Sequence, residues 1–203
     1  MVYMVEEIVN ALRNEEIVCF PTETLYALAC NAFSERAVAK LYDIKRRLYD
    51  KPFSLMLGDI QQVKKFSNMK NTDLRIMEML SPGPITFILP LHYAQNLPRR
   101  FFKDTLGVRI PDHALACNIL SRFEFPVVAT SANLSGERDA LKASDIPEEL
   151  RMHVSKLWED DSSVSGMCST VFDMVSQKIL RTGMLPSSKI LDAINRGKTT
   201  WTQ

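Results

Sequence analysis

Short polar side chains cluster where apolar runs stop. In Phe125-Pro-Val-Val-Ala-Thr-Ser-Ala-Asn-Leu-Ser-Gly136 a buried strand over 127–129 gives way to Thr130, Ser131, Asn133, Ser135 and Gly136. Hydroxyl and amide groups of this size donate and accept hydrogen bonds without filling the space a ligand needs. An isolated Ser-x-Asn more often bonds its own backbone in a turn. Here it has company.

Lys45-Arg46-Arg47 closes a helical stretch that starts near Ser34, in which Ala37, Leu41 and Ile44 recur at helical spacing. Two positions apart, Lys45 and Arg47 do not share a helical face, so at least one projects from the fraying end. Cations there complement the helix dipole. That account does not cover Lys51, which precedes Pro52 and a strand over 53–57. Lys45, Arg47 and Lys51 together read as an anion clamp, with Arg able to take a phosphate bidentately.

A third group is Phe20-Pro-Thr-Glu-Thr-Leu-Tyr26, after the strand 17–20. If the chain stays extended, Thr22 and Thr24 point the same way, although Thr-x-Thr is also ordinary strand chemistry. Arg109, between Val108 and Ile110, projects from the opposite face to its neighbours and suits a carboxylate, either a ligand's or a structural one. His113 fits a helix cap or surface residue better than a general base. Ser81-Pro-Gly-Pro-Ile-Thr86 reads as a rigid turn. There is no Walker loop and no G-x-G-x-x-G, so nucleotide phosphates would have to be held by side chains.

The elements that must position these groups alternate. Helices are expected over 5–14, 34–46, 60–66, 72–80, 113–123 and 187–195, and strands over 17–20, 53–57, 85–91, 107–110, 126–129, 156–158, 170–174 and 179–181. This is an α/β pattern, with an antiparallel part among the last strands of a mixed sheet. The loops 135–143 and 160–168 flank proposed site residues, as lids do. With 203 residues, 46% of them hydrophobic, the chain can bury one substantial core, and 1–203 reads as one domain. Charges nearly cancel, to a formal net charge of +1, so nothing argues for wholesale wrapping of nucleic acid. Cys19, Cys30, Cys117 and Cys168 lack metal or disulfide spacing and read as reduced thiols of a cytoplasmic protein. No leader and no membrane span is expected.

Taken in order, Pro-Thr-Glu-Thr-Leu-Tyr-Ala-Leu, Ile-Lys-Arg-Arg followed by Lys-Pro, Ser-Pro-Gly-Pro-Ile-Thr, Gly-Val-Arg-Ile-Pro-Asp-His, Ala-Thr-Ser-Ala-Asn-Leu-Ser-Gly and Ser169-Thr-Val-Phe-Asp173 resemble the YrdC-like family, the threonylcarbamoyl-AMP synthases. The resemblance runs from about Ile17 to Gly183, inside a motif-bearing part of about 5–197. It implies a twisted mixed parallel and antiparallel sheet flanked by helices, with a large concave cavity. It also implies a synthase that joins L-threonine, bicarbonate and ATP into threonylcarbamoyl-adenylate and pyrophosphate, for t6A modification of tRNA. By the same resemblance Lys45, Arg47, Lys51, Thr105, Ser131, Asn133 and Arg181 would hold ATP, with Lys45 and Arg47 also catalytic. Thr24, Arg109, Ser131 and Ser169 would hold threonine. Mg²⁺ would arrive with ATP and need no dedicated protein site.

The chain departs from the family pattern in three places. Met56 stands where many members have histidine, Leu141 where a hydroxyl residue often reaches the nucleotide, and Asp161-Ser162 in place of a glycine pair. Ending at Gln203, the chain is expected to be the short form without the extra C-terminal domain. The implied partners are the three substrates, a downstream threonylcarbamoyl-transferase complex and weakly bound RNA or tRNA. Two other readings are an RNA-binding module without turnover, and a domain that handles carbamoyl-adenylate within a larger maturation enzyme.

Overall fold

Apolar residues on both faces of a strand require a cover on each side, and β1 (Ile17–Pro21) and β2 (Tyr26–Asn31) are buried along their whole lengths. The structure, a computed structural model, describes residues 2–92 and 96–199. Alternation sends Val18, Phe20, Ala27 and Ala29 to one side of the sheet, where they pack on α1 (Val2–Arg13) and α5 (Ala114–Arg122). Ile17, Cys19, Tyr26 and Leu28 face the other side, toward the larger core. That core includes apolar faces of α2 (Glu35–Ile44), α4 (Asn71–Leu80) and α7 (Ser187–Thr199).

The remaining strands are β3 (Ser54–Met56), β4 (Ile85–Pro90), β5 (Thr105–Arg109), β6 (Val127–Ser131), β7 (Val154–Leu157), β8 (Thr170–Asp173) and β9 (Lys178–Arg181). Among the described residues they complete one nine-stranded sheet in the order β7-β1-β2-β6-β3-β5-β4-β8-β9. The pairs β1–β7, β3–β5 and β4–β8 are parallel, and the other neighbours are antiparallel. The expected mixed α/β sheet flanked by helices is therefore present. No helix among the described residues is long and apolar enough to cross a membrane.

Several boundaries differ from the sequence reading. Strand β2 was not expected: its Ala- and Cys-rich run lacks the β-branched residues that mark a strand, and burial between two neighbours overrides that preference. Strand β6 continues to Ser131, paired with Ala27, so the polar residues begin inside the ladder. Strand β7 starts at Val154 instead of Lys156, and α3 (Ile60–Val63) is a single turn. A short α6 (Glu148–Arg151), unexpected from sequence, follows Pro147.

Candidate active site

A pocket of about 390 Å³ opens among the ends of strands from both halves of the sheet, and its wall includes Thr24, Arg47, Arg109, Ser131, Ser169 and Arg181. The structure thus brings together six of the residues singled out in the sequence. Lys45, Lys51, Thr105 and Asn133 are not on the wall.

The separation of Lys45 from Arg47 follows from how α2 ends. Arg46 adopts a left-handed φ of 50°. Its N–H bonds Asp43 O at 3.0 Å, and Arg47 N–H bonds Tyr42 O at 3.0 Å. These two bonds form a Schellman closure with arginine in the position usually given to glycine. The turn sends three successive cations three ways. Arg46 points to solvent and pairs with Glu149 at 2.6 Å. Arg47 lies on Phe53, 4.9 Å above the ring, while its Nε and Nη2 donate to the Lys51 and Pro52 carbonyls at 2.7 and 3.2 Å. Lys45 runs inward and is only 1% exposed.

Lys45 Nζ donates to Ser131 O at 2.5 Å and Asn133 O at 2.6 Å, with Asn133 Oδ1 at 3.4 Å. Burial first, and the Arg47 charge second, push its pKa down to about 7, with Asp139 opposing them. Asn133 is likewise committed: Oδ1 accepts from Ser131 Oγ at 2.6 Å, and Nδ2 donates to Glu137 O at 2.8 Å. The Ser-x-Asn element makes the local turn, at the edge of the pocket. Asn133 ties the turn, and Thr130 and Ser131 face the pocket.

Lys51 is exposed, and its contribution is the carbonyl that accepts from Arg47. Thr105 is exposed at the opposite end of β5 from Arg109, paired with Pro90. Four residues of strand put it about 13 Å away along the chain.

The hairpin between β1 and β2 supplies the hydroxyls. Thr22 and Thr24 are buried, with their Oγ1 atoms 2.9 Å apart, and Thr22 Oγ1 also donates to Leu25 O at 2.8 Å. A hydroxyl has one proton. With Thr22's given to Leu25, Thr24 must be the donor to Thr22, and the free lone pairs of Thr24 are left to accept from a ligand N–H or O–H.

Arg109 Nη2 sits 2.8 Å from Glu23 Oε1, which also accepts from Asp112 N at 3.1 Å. The pair is close but poorly aligned: Nη2 and Nε of Arg109, with Glu23 Oε2, are buried without a directed hydrogen bond. Arg109 thus has the structural carboxylate partner that the sequence left open, with donors still free of directed hydrogen bonds beside the pocket. On the far wall Arg181 donates to Ser169 O from Nε at 3.2 Å and Nη2 at 3.0 Å, and Ser169 Oγ lies 2.8 Å from Thr86 Oγ1. His113 caps α5, its Nδ1 accepting from Ala116 N at 3.4 Å.

Thr86 and Asp139 are among the wall residues that escaped the sequence reading. Thr86 was absorbed into the Pro-Gly-Pro turn, and Asp139 lies in a loop with no periodic pattern to mark it. Asp139 is the one carboxylate among the residues of the wall, which otherwise carries three arginines. Met56 lines the pocket and is buried. Among the described residues no group of three or more His, Cys, Asp or Glu side chains is placed to hold a metal.

Comparison with known proteins defines the class. The Sua5/YciO/YrdC family model, described as "Telomere recombination", matches residues 10–183. The chain belongs to this family. A putative threonylcarbamoyl-AMP synthase of Methanocaldococcus jannaschii is 31% identical, over 92% of this chain and 89% of the relative. The threonylcarbamoyl-AMP synthase of Vibrio vulnificus is 27% identical, over 90% of this chain and all (100%) of that protein. Among solved structures, Pyrococcus abyssi Sua5 complexed with L-threonine superposes with a TM-score of 0.88 at 28% identity, covering 96% of this chain and 58% of that one.

Proposed function

We propose that the pocket joins L-threonine, bicarbonate and ATP into threonylcarbamoyl-AMP, with release of pyrophosphate, as a nucleotidyltransferase supplying t6A modification of tRNA. The observation that carries the reading is the convergence of Arg47, Arg109 and Arg181 with the hydroxyls of Thr24, Ser131 and Ser169 on one wall, in a chain of this family. The relatives' names and the threonine complex of the Pyrococcus protein support it.

In this scheme Arg109, paired with Glu23, takes the threonine carboxylate with the donors that pairing leaves without a directed hydrogen bond. Thr24 accepts from the amine, and Ser169, steadied by Thr86 and Arg181, completes the subsite. The amine nitrogen bonds the carbon of bicarbonate-derived CO₂ and loses its proton to solvent. The N-carboxylate oxygen then attacks the α-phosphorus of ATP as the bond to pyrophosphate breaks. No protein nucleophile is required; the enzyme positions two anions and offsets their charge. Arg47 faces the phosphates, with Ser131 beside it and Arg181 on the opposite wall. Lys45 works from behind, through the two carbonyls it holds, and adds charge when a bound phosphate favours its protonated form. Mg²⁺ would be carried with the triphosphate and would offset phosphate charge, and Asp139 is the wall carboxylate that could help hold it.

The test is pyrophosphate release from ATP with threonine and bicarbonate supplied together and omitted singly. Release should require both. Release indifferent to threonine overturns the reading, and RNA binding without turnover would favour a binding module instead.

A further inference from the structure

The two loops that border the pocket were read from sequence as lids, but the structure stitches them to each other and to the wall. The loop expected over 135–143 lies mostly in the connection 132–142, which carries Asp139, and the loop expected over 160–168 lies in the connection 158–169, which carries Cys168 and Ser169. One atom joins their bases. Asp161 Oδ1 accepts from the Tyr26 hydroxyl at 2.6 Å and from Ala143 N, just beyond the first loop, at 2.8 Å. Tyr26 is a fully buried residue of β2 on the pocket wall, and its hydroxyl also accepts from Asp160 N at 2.9 Å.

Other contacts fasten the second loop to the hairpin and bring it against the first. Ser165 N and Gly166 N donate to Glu23 O and Thr24 O at 3.3 and 3.0 Å, fastening the second loop to the threonine-bearing hairpin. Gly166 has a φ of +79°, and a Cβ there would lie 3.3 Å from Leu141 Cδ2, so the loops also touch through their apolar edges.

We propose that Asp161 is a positioning residue, whose single acceptor oxygen sets both rims of the pocket at once by joining Tyr26 to Ala143. A hydrogen bond to an ionised acceptor is stronger than one between neutral groups, and here one oxygen takes two, from elements far apart in sequence. Losing it would loosen both rims where they meet, near 143 and 160–164, while Ser169 keeps its own ties to Thr86 and Arg181. The kinetic consequence rests on the synthase reading above; the structural one does not.

The experiment compares Asp161→Ala, Asp161→Asn and Tyr26→Phe in the full chain by amide hydrogen exchange and by steady-state pyrophosphate release. Asp161→Ala should speed exchange in both 139–143 and 160–166 and raise KM for ATP and for threonine roughly fivefold or more, with a smaller change in kcat. Asparagine keeps the acceptor oxygen and should recover most of both losses, and Tyr26→Phe should loosen the second loop and raise both KM values partway. Faster exchange confined to 160–166 in Asp161→Ala would overturn the proposal. So would a lowered Tm with unchanged KM values, which is the signature of a scaffold residue, or an asparagine variant as impaired as the alanine one. Absent turnover in the unsubstituted protein would count against the synthase reading, and the exchange comparison would still decide the role of Asp161.

Discussion

At the scale of single residues, the most consequential fact is that three adjacent cations have three different fates. Arg47 is on the pocket wall and fixed by two carbonyls and a ring, whereas Arg46 is solvent-facing and paired with Glu149. Arg47→Ala should therefore weaken ATP binding by roughly 2–4 kcal/mol, as expected for a charge-assisted contact in a desolvated site. Arg46→Ala should change it far less, because exposed ion pairs are worth little. Equilibrium binding of ATP to the two variants checks this, and equal losses would mean that neither reaches phosphate. The residue types were legible in the sequence: Thr24, Arg47, Arg109, Ser131, Ser169 and Arg181 all share the wall. The directions were not. Lys45 reads as a phosphate ligand until the Arg46 turn is seen to aim it at two main-chain carbonyls. Nothing about Thr105 in the sequence says that it begins its strand at the end remote from Arg109.

At the scale of elements, the sheet brings Ser54 of β3 and Arg109 of β5 to the same wall by a close parallel pairing, in which Ser54 lies opposite Gly107. A Cβ at Gly107 would overlap Ser54 Oγ and sit 3.1 Å from Ser54 Cβ. Gly107→Ala must part the strands or turn Ser54 into the pocket. It should destabilise by about 1–3 kcal/mol, as overpacking does, measured by urea unfolding. A change within a few tenths of a kcal/mol would show that Ser54 moves aside freely. Most strands were legible because β-branched and aromatic runs between turn residues mark them. Strand β2 was not, since Tyr-Ala-Leu-Ala-Cys-Asn carries no such mark and is a strand only because β1 and β6 flank it. The loops flanking the site were recognisable as loops, but their fastening by Tyr26 and Asp161 depends on a contact 135 positions apart in the chain.

At the scale of the whole molecule, buried ionisable groups give stability a definite dependence on pH. Lys45 titrates at about 7 in the folded state against 10.5 as its ordinary value. Between those values the unfolded chain binds more protons than the folded one, so stability rises with pH from about 7 upward. Burial holds the thiols of Cys19 and Cys30 above their ordinary value of 9.0, Cys19 at about 12. There the folded chain binds more protons, and stability falls above about 9. Melting of the unliganded protein should therefore show Tm climbing from pH 7 toward 9 and then declining. In Lys45→Met the climb should be lost while the decline remains. An unaltered climb in that variant would assign the effect to another group.

The parallel pairing of β4 with β8 places Ser169 and Arg181 against a wall begun by Thr24, so the pocket closes only when late and early parts of the chain meet. For a chain emerging from the ribosome this orders events. The hairpin bearing Thr24 and the turn bearing Arg47 are made long before the far wall exists, and substrate can lend its binding energy to the fold only after β9 has docked. A nascent chain stalled before Arg181 would then gain less protection from threonine or ATP than the completed chain does.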